Sequence, residues 1–196
     1  SSGNYPVTAN AYDTTFNGGD SIAYDFSSIK FSQGIDIFIS KLSPDGTALL
    51  ASTYLGGMGN DGLNYPSPLS YNYADGARGE ISFDASNNIY IVSTTQSADF
   101  PVTPGSFQPL FHGGGQDGVV VKLDNNLSSL IWSSYLGGSG NDAVYSIVIR
   151  QDQSIYVAGG TNSIDYPVTA GVLRPAYQGG TADGFLTHIS SNGASI

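Results

Sequence analysis

Cysteine is absent from the 196 residues, which excludes disulfides and thiolate chemistry. Positive charge is scarce. Six Lys and Arg stand against sixteen Asp and Glu, for a net charge of −10. Such a surface cannot replace the counterions of phosphates, which argues against sequence-independent nucleic-acid binding and against an anionic membrane surface. No window approaches eighteen apolar residues, so no membrane-spanning helix is encoded and direct membrane insertion is not expected. Histidine occurs twice, at His112 and His188, without the H-x-H or H-x-x-x-H spacing that brings metal ligands together. No phosphate-cradling G-x-x-x-x-G-K and no G-x-S-x-G nucleophile elbow occur. No stretch sustains a 3.6-residue apolar period, and 26 glycines are too many for long helices. The remaining composition, low in charge and rich in Gly, Ser, Asn, Thr and Tyr, has the look of an extracellular bacterial protein.

What is present is repetition, and it sets the architecture. The stretch SADFPVTPGSFQPLFHGGGQDG from Ser97 returns 66 residues later as SIDYPVTAGVLRPAYQGGTADG. YLGGMGND at Tyr54 returns as YLGGSGND at Tyr135, NIYIVSTT near Tyr90 as SIYVAGGT near Tyr156, and IDIFISKL as DGVVVKL and DGFLTHI. An eroded copy of the long loop, SGNYPVTANAY, begins at Ser2. The unit is therefore 66 residues, and the surplus residues define insertions over 13–34 and 62–77. Within a unit, RGEISFD, NIYIVSTT, GVVVKL and LIWSSYLG are rich in β-formers and end at Gly, Asn, Asp or Pro clusters. Four short antiparallel strands in tandem predict an all-β fold, a β-propeller of four-stranded blades. Solenoid repeats are usually shorter.

The expected blades are two outer strands over 35–56, a complete blade over 78–137 and three strands of the next over 138–196. A ring needs at least four blades, about 264 residues, so the expectation is a partial ring within a longer chain, with the remaining blades as its first partners. The connections between second and third strands, and from a fourth strand to the next first strand, emerge on one face. Both insertions fall among them, and binding usually resides on such loops.

The combination D-[FY]-P-V-T-x-G, G-G-x-x-D-G, V-x-K-L and Y-L-G-G-S-G-N-D resembles the SBBP repeat, across nearly the whole chain apart from the insertions. That resemblance implies a seven-bladed β-propeller family of bacterial secreted or cell-surface proteins. It also implies the type IX secretion route used for surface adhesins, and it implies no established chemistry.

The recurring acids are read as turn pins, since a fold-determining residue recurs in each blade whereas a catalytic one need occur only once. These are Asp61, Asp99, Asp117, Asp142, Asp165 and Asp183, whose carboxylates are expected to accept backbone N–H bonds. Calcium at Asp99, Asp117, Asp165 and Asp183 is the second reading; no metal or cofactor is favoured. The non-repeated material is read as the ligand surface. Tyr65, Tyr71, Tyr73 and Asp75 lie in one insertion, Tyr24 and Asp25 in the other. Tyrosine rings beside carboxylates suit pyranose faces and hydroxyls, and equally suit a polar protein interface. The expected function is a non-enzymatic scaffold or binding module for a glycan or a cell-surface protein. The alternatives are a carbohydrate-active hydrolase or lyase with its site at the propeller centre, drawing on Arg78, Glu80 and Arg150, or a structural spacer.

Overall fold

The computed structural model describes residues 3–23, 30–65, 67–70 and 75–196. Strands form where Val, Ile, Tyr, Thr and Ser concentrate, because branched and aromatic side chains suit a pleated surface. β1 (Ile22–Ala23) and β2 (Lys30–Phe31) make a two-residue ladder. β3 (Ile37–Leu42) pairs with β4 (Leu49–Leu55). β5 (Glu80–Phe83), β6 (Ile89–Thr95), β7 (Asp117–Leu123) and β8 (Leu130–Leu136) form a four-stranded sheet in chain order. β9 (Asp142–Ile149), β10 (Ile155–Thr161) and β11 (Asp183–Ile189) form a three-stranded sheet with β10 in the middle. Every ladder is antiparallel. Asp75–Ala77 is a single 3₁₀ turn. The fold is all-β, and no helix among the described residues is long and apolar enough to cross a membrane.

The four-stranded sheet is sandwiched, and its period-2 alternation explains how. Ile89, Ile91, Val119, Val121 and Leu123 join Ile39, Ala51 and Leu55 of the β3–β4 sheet in one core. The intervening Tyr90, Val92 and Val120 join Val144, Ile147, Ile155 and Val157 of the β9–β11 sheet in a second core. Successive side chains point to opposite faces, so β6 and β7 bury all seven residues each. β3 and β11 lack a sheet on one side and alternate between buried and exposed. β9 is also exposed toward its end, at Val148, although its apolar run suggests a strand buried on both faces.

The first two Pro-Val-Thr loops run along the outer edge of the last strand of their own sheet. Thr103 N–H donates to Ser133 O at 3.1 Å, and Tyr135 N–H to Gln108 O at 3.1 Å. The first copy repeats this: Thr8 N–H donates to Ser52 O at 3.1 Å, and Tyr54 N–H to Asp13 O at 3.0 Å. An open strand edge is a template for aggregation, and this loop covers it. The same loop reaches the following sheet. Phe107 N–H donates to Gly193 O at 2.9 Å, as Tyr12 N–H does to Leu127 O at 2.7 Å. One loop therefore ties an outer strand to the next sheet's hairpin, which accounts for its repetition.

The equivalence runs further than the repeated words. Asn17 N–H meets the Asp36 carboxylate as His112 N–H meets Asp117 and Gln178 N–H meets Asp183. The Phe16 and Tyr54 rings lie 5.8 Å apart, as do Phe111 and Tyr135. The insertion that the sequence places over 13–34 therefore begins after this shared frame, whose residue types have diverged.

Candidate functional site

Two junctions between sheets are built alike. At the first, Asp61 Oδ2 accepts Gly57 N–H and Ser97 Oγ–H, each at 2.9 Å, and Oδ1 accepts Thr95 Oγ1–H. At the second, Asp142 Oδ2 accepts Gly138 N–H at 2.9 Å and Ser163 Oγ–H at 2.7 Å. Asp99 Oδ1 accepts Met58 N–H at 2.9 Å, and Asp165 Oδ1 accepts Ser139 N–H and Oγ–H, each at 2.8 Å. Asp117 accepts His112 N–H at 2.8 Å, and Asp183 accepts Gln178 N–H at 2.5 Å. Each junction brings two buried acids together: Asp36 beside Asp61, and Asp117 beside Asp142. Asp36 is the member missed among the sequence-predicted acids, although the match of IDIFISKL to DGVVVKL aligns it with Asp117.

Burial dominates the electrostatics here. Desolvation pushes the carboxyl groups of Asp61 and Asp117 up to about 7, assisted by the charge of Asp36 and of Asp142 respectively. Desolvation also raises Asp142 and Asp36. Asp165, open to solvent, is held below the usual range by its bonds from Ser139. The crowding explains the Gly-Gly word. A Cβ on Gly137 would stand 2.5 Å from Asp117 Oδ1 and 2.8 Å from Asp142 Oδ2. On Gly56 it would stand 2.7 Å from Asp61 Oδ2. Among the described residues, no group of three or more His, Asp or Glu converges as metal ligands would.

The second insertion interrupts the first strand of the four-stranded sheet instead of a connection between sheets. Asp61 already bridges Thr95 before the insertion begins, as Asp142 pairs with Thr161 in β9. In β9 the equivalent place is a bulge, with Val144 and Ser146 paired to adjacent residues of β10 and Tyr145 left over. Bulges re-aim side chains, and Tyr145 points into the insertion. Its hydroxyl donates to Leu69 O at 3.2 Å and accepts from Asn64 Nδ2 at 3.2 Å, and Arg78 stacks over its ring at 4.8 Å. Asn64 closes the neck of the insertion: its N–H donates to Gly76 O at 2.8 Å, and its Nδ2 to Asp75 O at 3.2 Å. Asn64 Oδ1 accepts from the buried Gln116 Nε2 at 2.6 Å. Asn64, Gln116 and Tyr145 are functional candidates that the sequence reading missed. The amides lie in irregular segments, and only the break in strand register marks Tyr145.

Of the sequence-predicted ligand residues, Tyr65 and Asp75 flank this neck. Tyr65 is half-buried against the Ile22–Ile35–Leu63 cluster, and its carbonyl accepts from Gln96. Asp75 is buried, with Oδ1 3.4 Å from the half-exposed Arg78 guanidinium. Tyr24, Asp25, Tyr71 and Tyr73 lie outside the described residues. Glu80 Oε2 accepts Ile147 N–H at 2.7 Å, tying β5 to β9, and Arg150 lies 5.8 Å from the Tyr156 ring. Trp132 donates to Ser191 O at 3.1 Å, in the turn after β11. No family model matches the chain, and no curated protein matches it.

Proposed function

We propose that these residues are part of a β-propeller of four-stranded blades, in a secreted or cell-surface bacterial protein. The module is non-catalytic and holds a glycan or a partner protein at its loop-bearing end. The observation that carries the reading is the insertion over 62–77. It leaves an inner strand, is closed at its neck by Asn64, Asp75 and Gly76, and stands beside the half-exposed Arg78, stacked over the partly buried Tyr145. A closed loop on a rigid sheet presents aromatic and polar groups at small entropic cost. The duplicated junctions support the propeller, because one junction geometry applied at each step turns successive sheets by the same amount. The SBBP-like words support both the propeller and its extracellular setting.

The test is a glycan array together with capture of surface proteins, run on the chain and on a variant carrying Tyr71→Ser and Tyr73→Ser. Binding lost in the variant at unchanged melting temperature supports recognition by this loop. A ligand held equally by both forms, or none found for either, overturns it and leaves a spacer.

A further inference from the structure

The β9–β11 sheet carries an open slot that its neighbours show filled. In the middle sheet β8 lies between two walls. β7 pairs along one side, and the Pro-Val-Thr loop lines the other through Thr103 and Gln108. The equivalent walls of the last sheet, β11 and the loop over 166–178, enclose a groove of about 840 Å³.

The walls already have the filled conformation. Gly105 and Gly171 have φ of 82° and 81°, and each loop end is pinned alike, His112 N–H to Asp117 and Gln178 N–H to Asp183. The anchor of the filling strand is Tyr135. Its hydroxyl donates to Ser97 O at 2.9 Å, and its ring packs on Phe100 and Phe111 at 6.3 and 5.8 Å. Tyr54 sits against Tyr5 and Phe16 in the same way, at 6.2 and 5.8 Å. In the open slot the corresponding residues are Ser163, Tyr166 and Tyr177, which line the groove. The two filling strands share one pattern, Leu-x-x-Ser-Ser/Thr-Tyr-Leu-Gly-Gly, in LLASTYLGG and LIWSSYLGG.

We infer that the slot is an acceptor for an extended segment of this pattern, supplied by a further repeat unit, which adds to β11 as an antiparallel strand with its tyrosine between Tyr166 and Tyr177. This deepens the repeat-unit reading above. The slot shares no residue with the 62–77 insertion, so either reading can fail while the other stands.

The probe is a synthetic peptide with the sequence of residues 130–142, followed by a short lysine tail for solubility. It is titrated into the intact chain by calorimetry, with amide exchange measured in parallel. The expected result is one peptide per chain and exchange slowed about tenfold or more across Asp183–Ile189 and at Thr169. The same peptide with its tyrosine changed to alanine binds at least about tenfold more weakly. Tyr177→Ala in the chain has a similar effect, whereas Tyr177→Phe keeps the ring and retains binding. No binding at millimolar peptide, binding that leaves β11 exchange unchanged, or a dimer that already protects β11 without peptide overturns the proposal.

Discussion

Raising the pH from 5 to 8 should destabilise this protein, in the opposite sense to one whose buried acids are ion-paired. Asp61 and Asp117 are buried, and desolvation lifts each from an ordinary 3.8 to about 7. Between those values the folded form holds a proton that the unfolded chain has released. Stability is therefore complete below about pH 4 and is lost as pH rises through 7. Integrated from pH 5 to 8, each group accounts for roughly 2–3 kcal/mol, and the two together for roughly 5 kcal/mol. That is comparable with the whole stability of a small domain. Asp142 and Asp36 are raised as well and add to the same slope. The lowered acids, Asp45, Asp84, Asp124, Asp152 and Asp165, act in the acid range and are level across this window. The assay is urea unfolding at pH 5, 6, 7 and 8 at fixed ionic strength, followed by Trp132 fluorescence. Asp61→Asn should remove about half of the slope while preserving the fold. Its carbonyl can still accept from Gly57 and Ser97, and its amide can donate to Thr95 Oγ1. Stability that stays level or rises from pH 5 to 8, or a slope unaltered in Asp61→Asn with Asp117→Asn, refutes the reasoning.

Three further outcomes follow from the packing. Gly137→Ala sets a methyl within 2.8 Å of two carboxylate oxygens, one of them pinned by Gly138 N–H and Ser163 Oγ–H. It should cost about 1–3 kcal/mol by urea titration, whereas Gly46→Ala, with nothing within 4 Å, should cost only the strain of its positive φ. Lys122→Met breaks the buried 3.0 Å pair with Asp84 and the 3.2 Å bond to Gln153 across the sheets. A loss of about 3 kcal/mol is expected, and a loss below about 1 kcal/mol would mean that Asp84 is satisfied by Ser86 and Asn88 alone. Tyr135→Phe removes the 2.9 Å bond to Ser97 O and should cost about 1–2 kcal/mol, with amide exchange accelerated over the Pro-Val-Thr loop before the strands.

What the sequence makes legible follows the kind of physics that fixes each part. Strands β3 to β11 follow from runs of β-forming residues bounded by turn residues, because burial of a sheet face is written in side-chain type. The acids of the GND and Asp-Gly words are legible because their hydrogen-bond geometry demands a carboxylate each time it is built. The shared frame through Asn17 is hidden, because there the backbone N–H makes the bond and any side chain can supply it. Asn17, His112 and Gln178 do the same work with three different residues. The interruption of the first strand is hidden for a related reason. A one-residue bulge at Tyr145 and an eighteen-residue excursion between Asp61 and Glu80 stand at the same place in the strand register, and neither has a residue requirement that repeats. Function on this scaffold should therefore be sought where one unit departs from its neighbours and leaves a charged group half-exposed. The half-exposed Arg78 over Tyr145 meets that condition, and the pinned acids do not.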